Sequence, residues 1–391
     1  MMPLWKLKRE VRRVALQVSQ VQWLVYGPAL RRIHDFRKAR RIRLHHGAHA
    51  LSGDVAVVLI YQPQGLSGSL FHTLRHLTGK GFAPLVVSNA PLSAEDVARL
   101  KPHCAAIMER PNYGYDFGGY RDGILHLLDH GTEIGRVLVM NDSIWFPLYP
   151  DCDLIDRMRR ADDDLYGYVM NARVNRHRSH LQSYFFAFGK RLVATSDFRN
   201  YWAGLFVTSN KNLVIRRCEI PMTEHFRARG YSIGYRYLIS DPMIALRSLT
   251  PDELMQVVRY QMRVDTSNAA TLAPYAAGDP ADPAWRTRVM ALAGDLKMGK
   301  YLLIAHPLLM LGKLRGQILK KDRQPMYRLQ RAELLAGGFA EGMAPAVLEE
   351  VMTCDGVAHR LPRPLEADPG RYLRPSVLPV HRTADREVEV A

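Results

Sequence analysis

Four short runs of consecutive apolar residues punctuate the first part of the chain: Val55–Tyr61, Ala83–Val87, Ala105–Met108 and Val137–Met140. A run this short with no polar alternation is the pattern of a strand buried on both faces of a sheet. Between the runs the apolar residues fall at helical spacing. Leu70, Leu74 and Leu77 mark a helix over Leu70–Thr78, Ser93 is placed to cap a second, and a third runs from Tyr120 to about His130. Strand alternating with helix predicts an α/β fold, a mostly parallel sheet with flanking helices. The carboxyl ends of such strands gather at one edge, where ligands bind. Tyr61, Ser88–Asn89, Asn112 and Asn141–Asp142–Ser143, the polar residues at or just beyond the run ends, would all lie there.

The pattern continues with strands at Leu165–Met170 and at His180–Phe188, joined by a loop carrying Arg173, Arg176 and Arg178. Phe198–Leu205 reads as a helix, Glu219 stands ahead of a helix that stops at Gly230, and Tyr231–Tyr237 is extended. After about residue 245 the signal weakens. Residues 268–285, rich in Ala, Pro and Gly, read as a linker or loose loop. Leu296–Lys321, interrupted by Pro307, is too short to span a bilayer and reads as a surface helix, a core helix or an interfacial segment. The expected organisation is a basic N-terminal helical arm (1–50), an α/β domain (51–245), a mostly helical extension (246–360) and a disordered tail (361–391).

Composition adds limits. An apolar fraction of 47% over 391 residues excludes wholesale disorder. Cys104, Cys152, Cys218 and Cys354 are widely spaced, which speaks against a disulfide framework or structural zinc and fits a reducing compartment. The charge is concentrated. Residues 1–47 hold twelve Lys or Arg against Glu10 and Asp35, which is +10 of the formal +16. Those basic clusters flank a more apolar stretch, Val14–Leu30, that includes Trp23 and Tyr26. Such an arm suits the anionic inner surface of a cytoplasmic membrane, or a helix packed on the domain with a solvated basic face. No nucleic-acid module accompanies the charge, so no nucleic-acid partner is expected.

The candidate chemistry sits at the predicted strand ends. Asp142 either holds a divalent cation, Mg2+ or Mn2+, against a diphosphate, or caps the strand by accepting local backbone amides. The turn Asn112–Gly119 is neither a Walker loop nor a GxGxxG fingerprint. Its Gly114, Gly118 and Gly119 permit close approach of a ligand or of a helix, and Asp116 either faces that ligand or caps the helix. Glu219 is a candidate general base, with Glu224 the competing choice; the bland role is interaction with a helix dipole. His180, Gln182 and Ser183 have the donors and acceptors to bind sugar hydroxyls. Gly230–Gly234 matches GxSxG, but a helix precedes it and an extended segment follows, the reverse of a nucleophile elbow.

Four segments then take on a joint meaning: NYGYDFGGYRDGI (112–124), VLVMNDSIWFPL (137–148), HLQSYFFAFGK (180–190) and CEIPMTEHFRARGYSIGY (218–235). In this order they resemble the rhamnan synthesis protein F family, over roughly residues 53–245. That family is similar to inverting glycosyltransferases of the A-type fold. The resemblance implies transfer of rhamnose or a similar deoxyhexose from a nucleoside diphosphate donor to a growing, lipid-linked bacterial polysaccharide or lipopolysaccharide glycan. It implies that Tyr61, Ser88, Asn89, Asn112, Gly114, Asp116, Asn141 and Ser143 shape the donor site. Asp142 would face the diphosphate, directly or through the metal, and Glu219 would be the catalytic carboxylate, with His180, Gln182 and Ser183 toward the acceptor. Asn141–Asp142–Ser143 has one carboxylate where such enzymes carry Asp-x-Asp, so Lys or Arg charge becomes a second candidate for stabilising the diphosphate. The alternative from another class is a non-catalytic component of an assembly complex that binds sugar or a lipid carrier.

Overall fold

The central element of the fold is a nine-stranded sheet, seen in a computed structural model that describes residues 26–38, 40–173, 176–296 and 302–355. Its strands are β1 (Arg43–His46), β2 (Ser52–Ile60), β3 (Ala83–Ser88), β4 (Ala106–Glu109), β5 (Thr132–Asn141), β7 (Leu165–Asn171), β8 (His180–Leu181), β9 (Phe185–Phe188) and β10 (Ile233–Leu238). The order is β1-β4-β3-β2-β5-β9-β7-β10, with β8 on the end of β7. β4, β3, β2 and β5 run parallel, β9 is antiparallel to both β5 and β7, and β10 is parallel to β7. The antiparallel β9 therefore begins where β5 and β7 end, and brings Ser183 to the same edge as Asn141. Two short strands outside this sheet, β6 (Ile144–Trp145) and β11 (Leu319–Lys320), pair antiparallel.

β2 shows why the apolar runs fold this way. Ala56, Val58 and Ile60 point into one core while Val55, Val57 and Leu59 point into the other, so no position is left for a polar residue. The Gly68–Gly79 helix covers the first face with Leu70, Leu74 and Leu77, and the Tyr115–His130 helix covers the second with Phe117, Tyr120, Ile124 and Leu127.

Several boundaries differ from the sequence expectation. The third helix starts at Tyr115 rather than Tyr120, because Gly114, at φ +81°, turns the chain directly into it. Gly118 lies inside that helix, where a Cβ would fall 2.0 Å from the Tyr113 carbonyl oxygen. Glycines that suggested a ligand turn are therefore also packing residues. β5 is ten residues long, beginning at Thr132. Glu219 is not ahead of a helix but within one: Lys211–Val214, a wide π-helical turn at Ile215–Glu219 and Ile220–Arg227 form one winding.

Residues 268–285 are not a loose loop. Ala269–Ala276 and the start of Pro283–Leu296 are helical, anchored by Leu272 and Trp285, both buried at 1% exposure or less. Of the three alternatives for Leu296–Lys321, the core role holds for its described part. Leu302, Leu303, Leu308–Leu311 and Leu314 are buried in the same core as Val58 and Leu74. The Pro251–Val264, Pro325–Ala336 and Pro345–Thr353 helices close over that face. The arm up to residue 25 and the tail from 356 lie outside the described residues.

Candidate functional site

The carboxyl edge is built by hydrogen bonds that tie strand ends to one another. Beyond β5, Asp142 N–H donates to Leu59 O at 2.9 Å, and Asp142 Oδ2 accepts from Tyr61 N–H at 2.9 Å and from Gln62 Nε2 at 3.1 Å. The strand-capping alternative is thus realised across two strands, while Oδ1 takes neither bond. Burial pushes the Asp142 carboxyl up, opposed by Tyr61 N–H, Gln62 and the charge of Lys321. Asn141 donates from Nδ2 to Asp116 Oδ2 at 3.0 Å, and its Oδ1 accepts from Ser143 N–H at 3.2 Å and Oγ at 2.6 Å. Asp116, in the first turn of its helix, keeps an exposed face, and its carboxyl is also pushed up, by partial desolvation and by Asp142, against Lys320, Asn141 and Lys211.

Glu219 reaches the same edge from the π-helical turn. That turn carries one residue more per hydrogen-bonded cycle than an α-helix, a distortion found at functional sites. Ser183 N–H points at Glu219 Oε1 across 3.4 Å, and burial raises the carboxyl against His180, Ser183 and Lys320. Tyr120, under the site, donates from its hydroxyl to Ser183 O at 2.8 Å.

Two residues at this edge were not found by sequence reasoning, Lys320 and Lys321. β11 delivers them: Lys320 pairs with Ile144, just past Asp142–Ser143, and Lys321 N–H donates to Ser143 O at 2.9 Å. Lys320 Nζ donates to Ser143 Oγ at 3.0 Å and lies 4.0 Å from the Tyr184 ring centre. Burial lowers its ammonium to about 8, although Asp116 and Glu219 attract the charge. Lys321 Nζ donates to Ser69 Oγ at 2.8 Å and Glu350 Oε2 at 3.2 Å. Gln62, Ser69, Asp142 and Lys321 line a cavity of about 10 Å³ beside the strand end, room for one water.

The remaining sequence candidates divide. Asp116, Asn141, Asp142, Ser143, Ser183 and Glu219 come together at one edge, where Lys320 bonds Ser143 and feels the charges of Asp116 and Glu219. His180 is buried beside them, its Nδ1 donating to Arg178 O at 2.9 Å. Gln182 is anchored by its N–H to Val169 O, and its Oε1 is buried without a partner among the described residues. Such an atom is an acceptor waiting for a donor. Tyr61 contributes its N–H while its ring is 56% exposed, and Asn112 is exposed on the loop before Gly114.

Ser88 and Asn89 are spent inside the fold. Ser88 Oγ donates to Ala90 O at 2.6 Å, and Asn89 Oδ1 accepts from Arg110 Nη1 at 2.5 Å. Arg110 in turn binds Asp122 at 2.8 Å, a carboxyl that burial disfavours but that His34 and Arg110 hold at about 2. Glu224 is turned away to His177 and Arg227.

The edge can hold an anion beside Lys320 and take up a proton at Glu219. Its capacity for a divalent cation is modest. Asp142 brings one carboxylate with Oδ2 already bonded twice, and Asn141 and Ser143 are bonded to each other, Asn141 also to Asp116 and Ser143 also to Lys320. Elsewhere among the described residues, His34, Asp35 and Asp122 approach one another, but Arg121 binds Asp35 at 2.7 and 2.9 Å and Arg110 holds Asp122.

Comparison with known proteins fits this architecture. Residues 85–255, which contain most of the edge, match the rhamnan synthesis protein F family. The uncharacterised protein y4gN of Sinorhizobium fredii is 34% identical over 354 residues, 90% of this chain and 92% of its own length. Virulence protein VirA of Vibrio anguillarum is 32% identical over 141 residues, 35% of this chain and 44% of its own. The four ordered segments, the α/β sheet that places them along one edge and the extent of these matches lead to one assignment: the chain belongs to the rhamnan synthesis protein F family, named for its part in polysaccharide synthesis.

Proposed function

We propose that the protein is an inverting glycosyltransferase. It moves a sugar, rhamnose or a similar deoxyhexose, from a nucleoside diphosphate donor to a growing lipid-linked glycan. The observation that carries this reading is the placement at one sheet edge of the Glu219 carboxyl, 3.4 Å from Ser183 N, and the Lys320 ammonium, 3.0 Å from Ser143 Oγ; burial raises the carboxyl and lowers the ammonium. A base with a raised pKa accepts a proton more readily near neutral pH. In the proposed step an acceptor hydroxyl oxygen attacks the anomeric carbon as its proton passes to Glu219. The bond from that carbon to the diphosphate oxygen breaks, and the released negative charge is met by Lys320. Asp116 and Asn141 hold the donor pocket in shape.

In this reading lysine takes the place of a metal. With Asp142 Oδ2 bonded twice and an ammonium already at Ser143, the site fits a divalent cation poorly. Asp142 keeps the ends of β2 and β5 together, so its contribution is largely positional.

The test is release of nucleoside diphosphate from a panel of nucleotide sugars by the purified full chain, with and without a lipid-linked acceptor. Acceptor-dependent release that falls at least about a hundredfold in Glu219→Gln supports the reading. Donor binding without transfer to any acceptor would instead favour the non-catalytic alternative, for which the structural bonds of Asp142 are the supporting observation.

A further inference from the structure

The helix over residues 26–38 is fastened on one side. Arg31 Nη1 donates to Gly204 O at 3.0 Å and Leu205 O at 3.1 Å, and Asp35 receives both Nη groups of Arg121. His34 stacks on Tyr113 at 4.5 Å between ring centres and reaches Asp122 at 3.4 Å. Its orientation is therefore set by partly buried polar contacts to the Tyr115–His130 helix and the loop ahead of it.

The opposite side carries Tyr26, Leu30, Ile33 and Phe36, which are 64%, 39%, 46% and 83% exposed. Their spacing of four, three and three places them along one helical stripe. They are half of the large apolar side chains exposed among the described residues, gathered within eleven positions, which separates this stripe from ordinary scatter. Arg32, Arg37, Arg40 and Arg41 are exposed at its margin and beyond its end, and Asp35, the single acid of the helix, is turned inward.

We infer that this stripe docks on an anionic phospholipid bilayer. The four apolar side chains enter the boundary between headgroups and acyl chains, and the arginines reach lipid phosphates while their stems lie along the same surface. Charge complementarity selects this occupant: the first 47 residues carry +10, and no carboxylate is present on the stripe to pair with a basic or neutral partner. No helix among the described residues is long and apolar enough to cross a membrane, so the contact is one of surface insertion. Because the helix is pinned to the element that begins at Tyr115 and Asp116, docking also fixes how the sheet edge faces the lipid.

Co-sedimentation of the full chain with phosphatidylcholine vesicles, with and without phosphatidylglycerol, tests it. The wild type is expected to bind the anionic vesicles. A triple variant, Leu30→Ser, Ile33→Ser and Phe36→Ser, leaves every charge in place and is expected to lower the bound fraction at least about tenfold. Near-ultraviolet circular dichroism identical to wild type shows that the variant is folded. A charge variant, Arg32→Gln with Arg37→Gln, is expected to bind more weakly and to lose most of the difference between the two vesicle types. Undiminished binding by the folded triple variant would overturn the inference. So would a wild-type dimer in sedimentation velocity that the triple variant converts to monomer, since the stripe would then belong to a second copy.

Discussion

Replacing Lys320 by Met should make the protein more stable and the site inactive. Lys320 is ionised at pH 7 although burial has lowered its ammonium from 10.5 to about 8. At about 1.4 kcal/mol per unit, holding that charge costs the folded state about 3 kcal/mol at neutral pH. Methionine matches the aliphatic stem without the charge. The attraction of Asp116 and Glu219 is already contained in that figure, and loss of the hydrogen bond to Ser143 Oγ returns about 1–2 kcal/mol, so the net stabilisation expected is about 1–2 kcal/mol. The sign with pH is fixed. Between about 8 and 10.5 the unfolded chain binds more protons at this site than the folded one, so wild-type stability should rise relative to the variant across that window. Urea unfolding at pH 7 and at pH 9.5, for both proteins, measures each quantity. Turnover should fall at least about a hundredfold, as expected when an electrostatic group at a developing charge is removed. A variant less stable than wild type at pH 7, or a stability gap that does not narrow by pH 9.5, would refute the reasoning.

Four further outcomes are expected. The pH profile of kcat/KM should have an acid limb above the ordinary carboxylate range, from Glu219, and an alkaline limb near 8, which Lys320→Arg moves upward. Transfer should persist in EDTA, and added Mn2+ should not restore Asp142→Asn; loss of activity on chelation would return the diphosphate to a metal. Gly118→Ala drives a Cβ toward the Tyr113 carbonyl oxygen and should cost about 2 kcal/mol in urea unfolding, with a raised donor KM as the 112–114 turn shifts. Glu350 accepts from Ser69 N–H at 2.7 Å, Ser69 Oγ at 2.7 Å, Trp145 Nε1 at 2.8 Å and Lys321 Nζ at 3.2 Å, so Glu350→Ala should destabilise by about 2–3 kcal/mol in the same assay.

The sheet was legible because its strands are buried on both faces, and Val55–Ile60 has no position where a polar residue would be tolerated. The edge was legible for a related reason: Asn141–Asp142–Ser143 interrupts an apolar run abruptly. Helix starts were less so. Gly114 begins a helix by adopting a left-handed conformation, and a glycine-rich stretch carries no periodicity to announce it. The part of the site that escaped is its cation. Lys320 stands 177 residues beyond Ser143, and in Arg315–Arg323 it looks like any solvated basic turn. What makes it a site residue is the pairing of β11 with β6, two strands of two residues each, too short to leave a pattern. Glu219 was read in its correct neighbourhood but in the wrong element, since the π-helical turn that carries it has no sequence signature of its own.

That late lysine has a consequence for how the protein comes into being. A ribosome that has released residues up to about 250 has already supplied every strand of the main sheet and all three acids of the edge, Asp116, Asp142 and Glu219. Such a chain still lacks β11, its two ammonium groups and Glu350. During synthesis there is thus an interval in which every strand of the main sheet has been made while Lys320 and Lys321 have not. The basic side of the edge is therefore the last part of it to be made.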